Sequence, residues 1–286
     1  MKGLSEHSLL INQVIGLCKT IPNYPSTLRE LGYNVEWIEP NLINSDGELS
    51  NPDIILTSKK LHHSLIVECK GGCGAIDIKQ LTKYSKINTD SIKDHVDVPD
   101  PRRLTFDICF SVTPKSKGNI VKLMKDSSLI YPTLIFSEKI EKVNKFNKKE
   151  VENKFSSKID GAEKPPTQFY PFGDEDDSSL IAVNILPILL SLSLKRRNDE
   201  SIEITTDELL EGAHPLWKDF SDSKKKKLRG KVENILRQLR QSDLNEFLSK
   251  VKGKPMWQIT KSLNAFSDKC NEIIEKLSTQ KTLGEY

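Results

Sequence analysis

Cysteine is scarce and unpatterned: Cys18, Cys69, Cys73, Cys109 and Cys270 make an odd count with no framework spacing. This excludes a disulfide-stapled secreted scaffold and leads to the expectation of a reducing, cytoplasmic setting. Cys69-x-x-x-Cys73 lacks the further cysteines or histidines of a zinc site. A Gly-x-x-x-x-Gly-Lys-Ser/Thr loop is missing too, so any ATP-driven activity would need a motor on another chain. The N-terminal stretch scatters polar residues through its apolar positions and has no small-residue cleavage site, so it does not read as a signal peptide. The longest apolar run, Leu180 to Leu194, is short for a bilayer and interrupted by Asn184 and Pro187. It reads as a buried helix, and no membrane partner is expected. No internal repeat stands out. A large charge excess is also lacking: the net charge is only +3, so attraction to nucleic acid must come from local patches.

What is present is an ordinary globular composition, 36% hydrophobic and 29% charged over 286 residues. That length suits one large or two average domains with a proper core.

The informative stretch runs from Asn51 to Tyr84. Pro52-Asp53 opens a β-branched run, Ile54-Ile55-Leu56, and after a polar Ser58-Lys59-Lys60 turn a second run, Leu65-Ile66-Val67, ends in Glu68-Cys69-Lys70. Side chains two apart in a strand share a face, so Glu68 and Lys70 point the same way. Pairing of the two runs as a hairpin would bring the Asp53 carboxylate to that of Glu68. Two hard oxygen ligands suit Mg²⁺, and an adjacent ammonium can orient a water or neutralise charge on a scissile phosphate. A strand-end Glu-x-Lys can also be a solvated ion pair. Against that, apolar residues fill both faces of these runs, as in internal strands, where charge is costly unless paired or metal-bound.

Pro52-Asp53 followed by Glu68-Cys69-Lys70 at the end of an apolar strand resembles the PD-(D/E)XK nuclease superfamily. Gln80-Leu81-Thr82-Lys83-Tyr84 is similar to the Q-x-x-x-Y motif of its RecB-like and phage exonuclease branches. The four-cysteine pattern of the iron–sulfur members of that branch is not evident. The resemblance implies a restriction-endonuclease-like three-layer α/β core with a mixed sheet. It implies that Asp53, Glu68 and the backbone carbonyl of Cys69 bind Mg²⁺, for which Mn²⁺ can substitute. Lys70 would orient the attacking water, Gln80 and Tyr84 would orient the site or the nucleic-acid backbone, and products would carry 5′-phosphate and 3′-hydroxyl ends. A glutamate on the opening helix often joins the metal in that superfamily. Glu6 is the first candidate and Glu30 its rival, while Glu6 can equally complement the dipole of a helix capped by Ser5.

Elsewhere the patterns predict helices over 4–20 and 26–31, a strand from Tyr33, a helix over 75–87 and a polar surface loop over 90–103. A strand over 105–112, a helix over 118–125 and a strand over 133–137 follow. The lysine-rich segment 139–158 reads as a solvated helix. Asp160 to Pro166 reads as a linker, and the expected domains are 1–160 and 161–286. Asp174 to Asp177 read as acids at a helix N-terminus.

The second domain resembles a winged helix and is mostly helical. A short strand near Ile204 precedes a helix capped by Thr206, and Ser221 caps a long helix to Gln241 bearing Lys224, Lys225, Lys226, Lys227, Arg229 and Lys231. A hairpin with a basic tip, Lys252-Gly253-Lys254, follows. A basic helix and a basic wing suit duplex DNA, while the same lysines on a partner-binding helical domain would serve only solubility. The resulting expectation is a cytoplasmic, Mg²⁺-dependent deoxyribonuclease, an endonuclease of a prokaryotic defence or mobile-element system. Its partners would be DNA, a second copy of itself, and a separate ATPase or other defence or transposition subunit. The alternatives are a DNA-binding assembly subunit with a silent nuclease fold and an end-cleaving transposon subunit.

Overall fold

The aliphatic runs around Asp53 and Glu68 become the middle of a mixed sheet. A computed structural model describes residues 4–72, 77–161, 165, 168–199, 201–260 and 262–279. The chain divides into two units: one comprises residues 5–169 and 219–224, and the other begins at Tyr170 and holds the C-terminal elements.

In the first unit, α1 (Glu6–Gly16) starts where the Ser5 hydroxyl accepts a hydrogen bond from the Ser8 amide at 3.1 Å, and it buries Leu10, Ile11, Val14 and Ile15. The short α2 (Thr27–Glu30) stops before Gly32, whose φ of +82° only glycine takes easily. Then come β1 (Tyr33–Ile38), a small hairpin of β2 (Leu42–Ile43) and β3 (Leu49–Ser50), β4 (Ile54–Ser58) and β5 (His63–Lys70). Asp77 caps α3 (Ile78–Ser85), accepting from the Gln80 amide at 2.7 Å. After α4 (Thr89–Ile92) follow β6 (Thr105–Val112), α5 (Pro114–Ser127), β7 (Thr133–Phe136), β8 (Lys139–Val143), α6 (Lys149–Lys154) and β9 (Ile159–Asp160).

Among the described residues the sheet has seven strands in the order β1-β4-β5-β6-β7-β8-β9. The β5–β6 and β6–β7 pairs are parallel and the others antiparallel, so the α/β class with a mixed sheet holds. Seven of the eight residues of β5 are buried, which is why its sequence is apolar on both faces. On one side Ile55, Ile66, Ile108 and Phe110 pack with Leu81 and Tyr84 of α3 and Ile120 and Met124 of α5.

Three predicted segments differ. Residues 139–158 are not one solvated helix: β8 pairs with β7, and only Lys149–Lys154 is helical. Its lysines sit on a near-edge strand, with Lys142 paired to Glu152, while Ile140 is buried. The segment 90–103 is more than a surface loop, since α4 reaches into it and Ile92 and Val98 are buried. The helix expected over 118–125 starts earlier, because Pro114 fits a first turn, where its missing N–H costs nothing.

At the far end of β5 from Glu68 lies a buried polar chain. The Tyr33 hydroxyl is 2.7 Å from His63 Nδ1, and His63 Nε2 is 3.3 Å from Asp107 Oδ2. Asp107 also accepts from the Asn147 amide at 3.1 Å, the Asn147 side chain at 2.7 Å and the Lys148 amide at 3.3 Å.

In the second unit, Asp177 caps α7 (Ser178–Lys195), accepting from the Ser179 amide at 2.8 Å. By length and composition alone α7 could cross a membrane. It buries Leu180, Ile181, Ile185, Leu186 and Leu189. β10 (Ile202–Thr205) leads into α8 (Thr206–Ala213), which is capped by Thr205 and not by Thr206, in a reciprocal box with Glu208. After α9 (Asp222–Gln241) come β11 (Leu248–Lys250), β12 (Met256–Ile259) and α10 (Leu263–Thr279), with sheet order β10-β12-β11.

Candidate functional site

Ile54 of β4 pairs with Val67 of β5, and the Asp53 amide donates to the Val67 carbonyl at 3.0 Å. The antiparallel register therefore sets Asp53 across from Glu68, and both are buried. Asp53 Oδ2 accepts from the Cys69 amide at 2.6 Å. Burial, followed by the Glu68 charge, still pushes the Asp53 carboxyl well above the usual carboxylate range.

Three donors converge on Glu68. Lys70 Nζ lies 2.6 Å from Glu68 Oε1. From α3, Gln80 Nε2 donates to the same oxygen at 2.6 Å, and the Tyr84 hydroxyl donates to Oε2. Gln80 and Tyr84 can both reach because residues four apart share a helix face. Burial alone would lower the Lys70 pKa, but Glu68 and Asp53 outweigh it and the net shift is upward. Burial and the Glu68 charge raise the Tyr84 phenol well above its ordinary value, so it remains a hydrogen-bond donor. The structure thus assembles all five residues expected to carry the chemistry: Asp53, Glu68, Lys70, Gln80 and Tyr84.

The opening helix contributes a different residue from the one expected. Glu6 pairs with Lys115 at 3.4 Å, and Glu30 bonds Ser26 and Lys154; neither contacts Asp53 or Glu68. His7 takes that place. Its Nδ1 is 3.0 Å from the Cys69 carbonyl and its Nε2 3.4 Å from Asp53 Oδ1. Gly71 permits this approach, since a Cβ there would lie 2.5 Å from the Glu6 Cβ and 2.8 Å from the His7 amide. Nothing in the sequence singles out His7, because the contact depends on how closely α1 meets the end of β5.

The donor set fits a divalent cation. Asp53 and Glu68 supply two buried carboxylates on adjacent strands, the hard oxygen donors such a cation takes. The Cys69 carbonyl, steadied by His7, is a third oxygen.

Of the predicted DNA-contacting cations, Lys224 must be removed. It is buried, with its ammonium on Glu39, and it belongs with the first unit. A run of lysines reads as an exposed face, whereas pairing with Glu39 makes burial of this one tolerable. Arg229 pairs with Asp207 at 2.5 Å and, with Lys225, lies about 6 Å from the Trp217 ring centre. Lys226, Lys227, Lys252 and Lys254 are exposed and Lys231 is half-buried.

A family model described as the MJECL32 domain matches residues 6–170, and one described as a domain of unknown function, DUF8601, matches residues 174–285. No curated protein and no solved structure matches the chain. The first match covers more than half of the sequence, and the chain belongs to the MJECL32 domain family.

Proposed function

We propose that the protein is a metal-dependent deoxyribonuclease with a restriction-endonuclease-like core, acting in a reducing cytoplasm. The observation that carries this reading is the convergence of Lys70, Gln80 and Tyr84 on Glu68, opposite a second buried carboxylate, Asp53. Asp53, Glu68 and the Cys69 carbonyl would hold Mg²⁺, which when bound supplies Lewis-acid stabilisation of phosphate charge and a more acidic bound water. Lys70 offers an ammonium to the attacking water and to the charge that grows on the phosphate. Gln80 and Tyr84 fix the Glu68 rotamer, and His7 fixes the Cys69 carbonyl. Linear, circular and single-stranded DNA incubated with and without Mg²⁺ test this. Metal-dependent cleavage with 5′-phosphate ends is expected, and cutting of closed circles identifies an endonuclease. No cleavage of any substrate with either Mg²⁺ or Mn²⁺ would reject the reading.

A second reading, a DNA-binding assembly subunit, is favoured by one feature: both Glu68 oxygens already hold protein donors. Mn²⁺ titration with electron paramagnetic resonance separates the two. The nuclease binds Mn²⁺ in a manner lost in Asp53→Asn, whereas the assembly subunit shows no difference between wild type and variant.

The second unit supports a winged-helix reading through its helix–strand–helix–helix–strand–strand order and its β10-β12-β11 sheet. Here the exposed Lys226 and Lys227 and the β11–β12 tip carry the duplex phosphates. Replacing Lys226 and Lys227 with glutamine is expected to flatten the slope of log K against log salt on duplex DNA by about 1.8. Lys224→Gln should instead leave that slope unchanged and lower thermal stability, because its partner Glu39 loses its countercharge. Fluorescence anisotropy at several salt concentrations, with melting curves, checks both.

A further inference from the structure

Beside the Glu68 cluster, a cleft of about 440 Å³ opens between α3 and the end of the β2–β3 hairpin. Gln80 and Tyr84, which both donate to Glu68, form part of its wall. Lys79 and Lys83 line it as well. They are four apart on α3, so their stems start about 5–6 Å from each other. Many lysines of this unit are held by carboxylates, as Lys86 is by Asp46, Lys59 by Asp97 and Lys154 by Glu30. Among the described residues no carboxylate pairs with Lys79 or Lys83. The acid in the described lining, Asp77, is engaged as the helix cap.

A second observation is independent of the lysines. Ser50 lines the same cleft, is 1% exposed, and its hydroxyl has no hydrogen-bond partner. Buried hydroxyls are nearly always bonded, so this one, covered within the cleft wall and without a partner, is a spare donor that a rotation about χ1 would turn towards a ligand. The walls are also fixed to each other: Asn44 Nδ2 donates to the Lys83 carbonyl at 3.3 Å and the Ser45 amide to the Lys86 carbonyl at 3.0 Å.

We propose that this cleft binds the phosphates of a single nucleic-acid strand, with Lys79, Lys83 and Ser50 as donors, and leads that strand to Glu68. Two cations and a hydroxyl, with the lining acid Asp77 engaged as the helix cap, recognise a polyanion of phosphates. A cleft of this volume has the size of a small-ligand pocket, which suits a short stretch of one strand. The inference rests on the nuclease reading for what the strand is brought to, and its test is a binding measurement.

The probe is a fluorescently labelled oligothymidylate, titrated against the full chain in EDTA over a range of salt. The Lys79→Gln/Lys83→Gln double variant is expected to lower the slope of log K against log salt by about 1.4 relative to wild type, the figure for two phosphate contacts on a single strand. Ser50→Ala is expected to weaken binding several-fold at constant slope, with an unchanged melting temperature. Competition by inorganic phosphate at concentrations far below the oligonucleotide's salt effect would assign the cleft to free phosphate and overturn the proposal. An unchanged slope in the double variant overturns it as well. If wild type cleaves DNA while that slope is unchanged, only the cleft assignment falls; absence of cleavage with a flattened slope rejects the nuclease reading and leaves the cleft standing.

Discussion

Lys70→Ala, Glu68→Ala and Asp53→Ala are each expected to reduce DNA cleavage by about 10²–10⁴-fold or more while the chain stays folded. The reasons differ by residue. Loss of Lys70 removes the ammonium beside Glu68 but breaks no backbone pairing, since only its side chain leaves the strand end. Loss of Glu68 strands Gln80 and Tyr84, which both donate to it, so Glu68→Gln is the gentler companion and should be as inactive. Asp53 offers a readout that a merely structural residue would not give. Because burial and Glu68 hold its carboxyl well above the usual range, its ionised form costs the fold stability at neutral pH. Asp53→Asn should therefore lose cleavage and gain thermal stability, and the gain should shrink as pH falls and the wild-type carboxyl takes up a proton. Single-turnover cleavage rates and melting curves across pH measure both. If two of the three alanine variants cut normally, the site is misassigned.

At the other end of β5 the expected loss is of stability and not of chemistry. Asp107→Ala should cost several kcal/mol, about 1–3 kcal/mol for each buried donor left without its acceptor. The change leaves His63 without its carboxylate and strips the Asn147 and Lys148 amides of their acceptor. In a unit of this size that corresponds to a fall of very roughly 10 °C in melting temperature. Burial alone would raise the Asp107 pKa, but His63 and the Asn147 and Lys148 amides outweigh it and hold the carboxyl below its ordinary value. A depressed pKa gives stability that is fully present above about 3.9 and lost as pH falls through the folded value. The gap between wild type and variant should thus be widest near neutrality and close in acid. A gap independent of pH would mean that Asp107 acts through packing alone.

These contrasts show what a sequence can disclose. The β4 and β5 runs were legible because interior strands are apolar on both faces, and Gln80 with Tyr84 because one helical turn aligns them. β8 was hidden by its own charges: Lys139, Glu141 and Lys142 find partners in Asp160, Lys117 with Lys158, and Glu152, none of which local periodicity can foresee. Lys224 misled for a related reason, since a lysine run carries no mark of which member turns inward to Glu39. His7 was invisible because its place is set by the close approach of Gly71 to the start of α1, far away along the chain.

The parallel pairing of β5 with β6 also bears on how the chain is made. Lys70 finds its neighbour only in Val112, so the strand carrying Glu68 leaves the ribosome well before the strand that will cover its open edge. At ~5–20 residues per second the delay is roughly 2–8 s. Through that interval the nascent β4–β5 hairpin, with its apolar Ile54–Leu56 and Leu65–Val67 runs, presents an unpaired edge to whatever else is being translated nearby. Slower synthesis across residues 71–112 is therefore expected to lengthen the exposure of that edge and to lower the share of chains that reach the native sheet.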